Sequence, residues 1–252
     1  MTARLVTQPA GAGASRPALT VLPVGSAAVL VEPPDARNVV ELYLRLRATA
    51  PAGVTDLVPA ATTVLVGFEP GTQSRVAVVE WIRRVGAEEP RAAPEEVGAS
   101  AGPLREADIG AGADAATRLA AEPERGAIVE LPLRYDGPDL AVVAELTGAS
   151  VDEVIGAHLE QVWTAAFIGF APGFAYLAGE DDRLTVPRRV TPRAAVPAGS
   201  VALAAGYCGV YPRESPGGWH VIGHTAAVLW DAQRADPALL APGTRVRFVR
   251  EG

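Results

Sequence analysis

The sequence contains no lysine: all 22 of its basic residues are arginine. A Schiff-base lysine and the lysine of a phosphate-binding P-loop are therefore excluded from this chain. Any anion it holds must be met by arginine, by helix N-termini or by backbone N–H groups. Cysteine is nearly absent as well, and the single Cys208 rules out an internal disulfide, which fits a reducing cytoplasm. Three histidines and one cysteine, without metal-ligand spacing, leave no zinc motif. No apolar run approaches the ~18–20 residues needed to span a bilayer. Residues 1–17 lack the apolar core of a signal peptide. A net charge of −7 argues against nucleic acid or an anionic membrane as a partner.

What is present is ordinary globular composition, 49% hydrophobic and 20% charged, ample for a buried core. At 252 residues two modest domains are expected. Residues 1–18, rich in Gly, Ala, Pro and Ser, read as a flexible tail. Residues 19–86 read as a small α+β domain. It begins with strands at Leu19–Val24 and Ala27–Glu32, turned at Gly25–Ser26. A helix follows from Asp35, with Val39, Leu42, Tyr43 and Leu46 inward. Strands at Val54–Pro59 and Thr63–Glu69 precede a second helix from Thr72, with Val76, Val79 and Ile82 inward and Gly86 as its stop.

Residues 87–126 change character. Nine carboxylates face four arginines there, with too few large apolar groups to offset ordering entropy of ~1–2 kcal/mol per residue. The segment reads as an acidic linker, with binding of a partner as the sharper alternative. The remainder, 127–252, opens with a strand at Ile128–Tyr135 and two short helices near 139–147 and 151–160. Ser150 and Glu153 form a capping box for the second. Short apolar runs punctuated by Gly and Pro then suggest a barrel or sandwich, with strands at Val162–Ile168, Ser200–Ala204, Gly209–Tyr211, Trp219–Gly223, Ala227–Asp231 and Arg245–Arg250.

The unusual local sequence is concentrated in 167–225. In FIGFAPGFAYL, Phe170, Phe174 and Tyr176 surround Pro172–Gly173, which suits either the wall of a ligand cleft or a core-packed turn. PRRVTPRAAVPAGS carries a proline every five residues and cannot be a helix interior. Its Arg188, Arg189 and Arg193 sit on a stiff extended loop, suited to capture of carboxylate or phosphate, or simply solvated. GYCGVYPRESPGGWH brings closely spaced glycines that could converge amides on an anion, and that also serve as hairpin punctuation. Cys208 has no His or Asp beside it in sequence, which favours a quiet buried thiol over a nucleophile. His220 and His224, four apart in a strand, are expected on one side roughly 13 Å apart. They are poor co-ligands for one metal; either could be a single acid/base or a hydrogen-bonded structural group. Glu180, Asp181 and Asp182 read as a solvated turn. No catalytic set is recognisable.

Taken in order, GPDL (137–140), FIGFAPGFAYL, TPRAAVPAGS, G-x-x-G-V-Y-P (206–212) and SPGGWHVIGHT (215–225) resemble one family. It is the B subunit of bacterial 5-oxoprolinase, also described as a histidine-kinase-inhibitor family, as allophanate hydrolase subunit 1-like, and as subdomains C and D of a carboxyltransferase domain. The likeness is weak over 19–86 and strong over 127–250. It implies an α+β fold, a small N-terminal domain followed by a cyclophilin-like β-barrel. It also implies a C-type partner subunit carrying subdomains A and B, an A-type subunit, and ATP-driven opening of 5-oxoproline to glutamate. Phe170, Phe174, Tyr176, Arg188, Arg193, Tyr207, Cys208, Tyr211, Trp219, His220 and His224 then become candidates for a substrate cleft. Two departures bear on the substrate. Tyr207 and Cys208 stand where the family usually has Gln-Thr, and His220 and His224 stand where it usually has Gln or Arg. A carboxyltransferase component of a urea-carboxylase-like enzyme, and a regulator of a sensor kinase, remain open alternatives.

Overall fold

The computed structural model describes residues 19–87 and 127–251. The expected tail and nearly all of the expected acidic linker lie outside the described residues.

The N-terminal unit is a four-stranded antiparallel sheet in the order β1-β2-β4-β3, from β1 (Thr20–Val24), β2 (Ala28–Glu32), β3 (Val54–Pro59) and β4 (Val64–Phe68). Gly25, at φ 58°, makes the first turn. Asp35 caps a short 3-10 turn, accepting from the Arg37 N–H at 2.9 Å, and α1 (Val39–Ala48) continues from it. The face carrying Val39, Leu42, Tyr43 and Leu46 is buried, as the spacing predicts. In α2 (Arg75–Ala87) the buried stripe is Val78, Trp81, Ile82 and Val85, while Val76 is exposed. Of the expected stripe, Ile82 is buried and Val79 packs against the core, but Val76 is turned out, because steps of three drift round a 3.6-residue helix and Trp81 carries the larger apolar area inward. Gly86 does not stop this helix; it lets the Leu19 side chain approach the helix backbone.

The second unit is a barrel. Its seven strands run β12-β9-β10-β7-β6-β13-β5, where β5 is Ile128–Leu133, β6 Trp163–Ile168, β7 Ala175–Ala178, β9 Ser200–Ala204, β10 Tyr207–Val210, β12 His220–His224 and β13 Arg245–Arg250. Neighbours are antiparallel except β13 and β5. The ring closes where Arg134 and His224 exchange backbone hydrogen bonds of 3.0 and 2.8 Å. Closure leaves no free sheet edge at that seam. A two-stranded ribbon, β8 (Arg193–Val196) with β11 (Ser215–Gly217), lies outside the ring.

Between β5 and β6 come α3 (Leu140–Thr147) and α4 (Val151–Glu160). Gly148, at φ 68°, ends α3 in the left-handed conformation. Both arms of the Ser150/Glu153 capping box are present. Leu140, Val143, Val154 and Ile155 of these helices join Leu131, Leu133, Leu177, Leu203, Ile222 and Phe248 in one core. Each large side chain buried there contributes roughly 1.5–3 kcal/mol. The α+β class with a barrel is thus as the resemblance implies. The stretch 227–231 does not join the ring; it folds back locally, with Leu239 N–H donating to Leu229 O and Asp231 N–H to Pro237 O, both at 2.9 Å.

Candidate functional site

The barrel pleat sends alternate residues to opposite sides. On β9, Val201 and Leu203 face the main core, while Ala202 and Ala204 face a second cluster outside the ring. Across that outer face Phe167, Tyr176, Gly209, Ala202 and Val221 are successive cross-strand neighbours. The middle of the row carries almost no side chain, and rings fill the space. A Cβ on Gly209 would stand 2.8 Å from Phe174 and 3.0 Å from Trp219. Around them Phe167 stacks on Tyr176 at 4.2 Å between centroids, and Tyr207 meets Tyr176 edge-on at 5.8 Å. Tyr211 meets Phe174 edge-on at 5.2 Å. Six of the expected residues, Phe170, Phe174, Tyr176, Tyr207, Tyr211 and Trp219, therefore form one aromatic cluster. Phe167 belongs to it and was not singled out, because its sequence context reads only as strand.

Phe170 is the outward member. It is 59% exposed although its ring touches Phe174 and Tyr211 edge-on. Its φ of 68° is a left-handed conformation that a bulky residue adopts at a cost of about 1–3 kcal/mol. Hydrogen bonds from Gly169 N–H to Phe174 O (3.1 Å) and Phe174 N–H to Ala171 O (3.0 Å) hold the turn.

The arginine loop is organised by a residue that the sequence reading left without a role. Asp139, in the GPDL motif just before α3, is 2% exposed. Its carboxylate accepts from Arg193 Nη1 (2.7 Å) and Nη2 (2.8 Å), from Arg189 Nη1 (2.5 Å) and from the Val221 N–H (2.8 Å). Burial pushes this carboxyl up, but those hydrogen bonds and the two guanidinium charges outweigh it and hold it below the usual range. Arg193, expected to meet a ligand, thus has both terminal nitrogens on Asp139. Arg188 is exposed and makes no hydrogen bond or ion pair among the described residues. Its Nε lies 3.8 Å from where a Cβ on Gly218 would stand. A Cβ on the preceding Gly217 would meet the Tyr211 hydroxyl, so Arg188 and Tyr211 flank successive glycines. Burial raises the Tyr211 phenol, while the charges of Arg188 and Arg193 lower it.

His220 precedes Val221 on β12. It is buried, and its Nε2 donates to Pro187 O at 3.1 Å, which fixes the tautomer and leaves Nδ1 without a partner. Burial lowers its pKa, so the ring is neutral at pH 7. His224 is elsewhere, at the barrel seam, with its ring 2.7 Å from where a Cβ on Gly199 would stand. The register shift between Val221 and Gly223 breaks strand alternation, so the expectation of both histidines on one side is corrected.

Cys208 lies in the main core, on the face of β10 opposite Tyr207 and Gly209. It is fully buried, and His158 Nε2 is 3.4 Å from its sulfur while Tyr135 Oη is 2.8 Å from His158 Nδ1. Burial raises the thiol pKa and lowers that of His158 to about 3. A Cys–His pair tuned in these directions is inert as a nucleophile. Cys208 is therefore a core group and not part of the aromatic face. A separate depression beside α3 and α4 is lined by Thr147, Asp152, Glu160 and Arg183. Its cation is spent on Glu160 and Asp181. Among the described residues no group of three or more His, Cys, Asp or Glu could hold a metal.

The chain is 47% identical over 133 residues to the 5-oxoprolinase B subunit of Escherichia coli O157:H7, covering 52% of this chain and 61% of that one. It is 44% identical over 126 residues to the 5-oxoprolinase B subunit of Bacillus subtilis strain 168, covering 49% and 52%. These matches span about half to three fifths of the relatives' length. Among solved structures TTHA0988 superposes with a TM-score of 0.63 at 30% identity, over 89% of this chain and 40% of that one. The urea carboxylase of Kluyveromyces lactis superposes at 0.59 and 15% identity, over 93% and 22%, which shows a shared fold. The model of the carboxyltransferase domain, subdomain C and D, matches residues 19–240. The chain belongs to the family of carboxyltransferase-domain subdomains C and D.

Proposed function

We propose that this chain is a subunit of an ATP-dependent 5-oxoprolinase and is inactive alone. It contributes one wall of a cleft completed by a C-type subunit carrying subdomains A and B, with an A-type subunit in the same cytoplasmic system. The observation that carries the reading is the 47% identity to the B subunit of a 5-oxoprolinase. The outer aromatic face supports it: a wall for a small ring beside an available cation. No helix among the described residues is long and apolar enough to cross a membrane.

Opening a lactam requires activating an unreactive carbonyl, and phosphorylation by ATP supplies that activation. This chain's residues do not fit a triphosphate by themselves. Lysine is absent, and both Arg189 and Arg193 already hold Asp139. What the chain offers is packing and orientation. Tyr176 and Tyr207 present partly buried rings, Phe170 covers the rim, and Arg188 meets a carboxylate. Charge stabilisation of the reacting carbonyl must come from the partner side. For the alternative of a urea-carboxylase-like carboxyltransferase, the likeness to the solved urea carboxylase, at 15% identity, supports the fold alone.

Co-purification of the chain with the products of neighbouring genes, followed by ADP release on 5-oxoproline, tests the reading. Turnover by the co-purified assembly is expected. Tight binding to a kinase fragment with no turnover in any assembly would favour the regulatory reading instead.

A further inference from the structure

Three arginines, two on the loop after Pro187 and one at the start of β8, are not equivalent. Arg193 lays both terminal nitrogens on Asp139, at 2.7 and 2.8 Å. Arg189 gives Nη1 to the same carboxylate, and its Nε is buried out of reach of solvent. Only Arg188 is left exposed, next to Gly218 and within electrostatic reach of the Tyr211 hydroxyl. Asp139 in turn is fixed from a third direction by the Val221 N–H of β12, the strand whose Val221 faces the aromatic cluster.

We propose that Asp139 is the positioning residue that sets the charge of this cleft: by occupying Arg189 and Arg193 it leaves Arg188 as the guanidinium offered to a ligand, so the cleft accepts a monocarboxylate and turns away polyphosphate. The location of the cleft rests on the functional reading above; the charge selection does not. A carboxylate matches one planar fork in both charge and geometry. Asp139 cancels only one of the two charges of Arg189 and Arg193, so with Arg188 two positive charges remain. A tripolyphosphate, which carries more than two negative charges and finds one free planar fork, stays partly uncompensated beside an aromatic wall. The nucleotide phosphates of the reaction then belong on the partner's side, consistent with the absence of lysine.

The test uses the full-length chain and calorimetric titration with three probes: 5-oxoproline, cyclopentanecarboxylate as a carboxylate lacking the ring amide, and inorganic tripolyphosphate. The wild-type chain is expected to bind the carboxylates more tightly than tripolyphosphate. Arg188→Ala should weaken carboxylate binding by roughly tenfold or more, the worth of one charge-assisted bond, with an unchanged melting temperature. Asp139→Asn should free the Arg193 fork and shift preference towards tripolyphosphate, a change that loss of stability alone would not produce. If Asp139→Asn does not fold, the Arg188→Ala arm and the wild-type ranking decide. Tripolyphosphate binding the wild type as tightly as the carboxylates, no carboxylate binding, or carboxylate binding unaffected by Arg188→Ala would each overturn the proposal. Binding of cyclopentanecarboxylate but not 5-oxoproline through Arg188 would sink the substrate reading and leave the positioning role standing.

Discussion

Arg193 closes a two-pronged clasp on Asp139, Nη1 to Oδ2 at 2.7 Å and Nη2 to Oδ1 at 2.8 Å. The clasp ties the start of α3 to β8, and through the Val221 N–H to β12. Asp139→Ala strands two partly buried guanidinium groups and should cost about 3 kcal/mol, read as a lower melting temperature. Because the folded carboxyl titrates below its ordinary value, its contribution is present above the unfolded pKa, ~3.9, and is lost as pH falls through the folded pKa. The stability difference between wild type and Asp139→Ala should therefore shrink below about pH 4. A difference that stays constant down to pH 2 would mean the carboxylate charge contributes nothing.

How this clasp escaped the sequence reading is a matter of distance. Asp139 and its arginines are separated by 50 and 54 residues, and GPDL reads locally as a turn opening a helix. The same holds for Cys208 and His158, 50 residues apart. Periodicity served better where elements are regular: α1, the Ser150/Glu153 cap and β9 follow from apolar spacing and capping chemistry alone. It failed at β7, β8 and β11, where Gly, Pro and aromatic residues interrupt the alternation and the strands read as loop. The aromatic cluster was legible as a set of residues, but not as a face, since only the barrel register aligns Phe167, Tyr176 and Gly209.

Cys208 should resist a thiol reagent such as DTNB in the folded chain and react once the chain is unfolded, since burial raises its pKa. Its partner His158, with a pKa of about 3, should show no imidazole titration by NMR between pH 5 and 8. For this base the folded pKa lies below the unfolded ~6.5. Its stability contribution is thus complete above ~6.5 and declines as pH falls towards 3. Rapid labelling of the native thiol would contradict the core assignment.

Gly209→Ala forces a methyl to 2.8 Å from Phe174 and 3.0 Å from Trp219. Overpacking of this kind should cost about 1–3 kcal/mol and shift tryptophan emission as Trp219 is displaced. A wild-type melting temperature and an unchanged spectrum would show that the outer face is loosely packed.

Phe170→Gly should raise stability by relieving the left-handed strain, on the order of 1 kcal/mol, while lowering turnover of the assembled complex. Phe170→Ala keeps the strain and loses the ring, so it should lower turnover without the gain in melting temperature. Equal turnover in wild type and both variants would reduce Phe170 to an incidental surface ring.

That this chain supplies one wall of a site completed by another chain is tested by a titration. A fixed amount of purified C-type partner, with the A-type subunit present, is mixed with increasing amounts of this chain. ADP release on 5-oxoproline is followed alongside light scattering. No turnover is expected without this chain, none with it alone, and a rate that saturates as a complex burying more than ~1,000 Å² forms. Robust turnover by this chain alone, or a rate that ignores its addition, would contradict it.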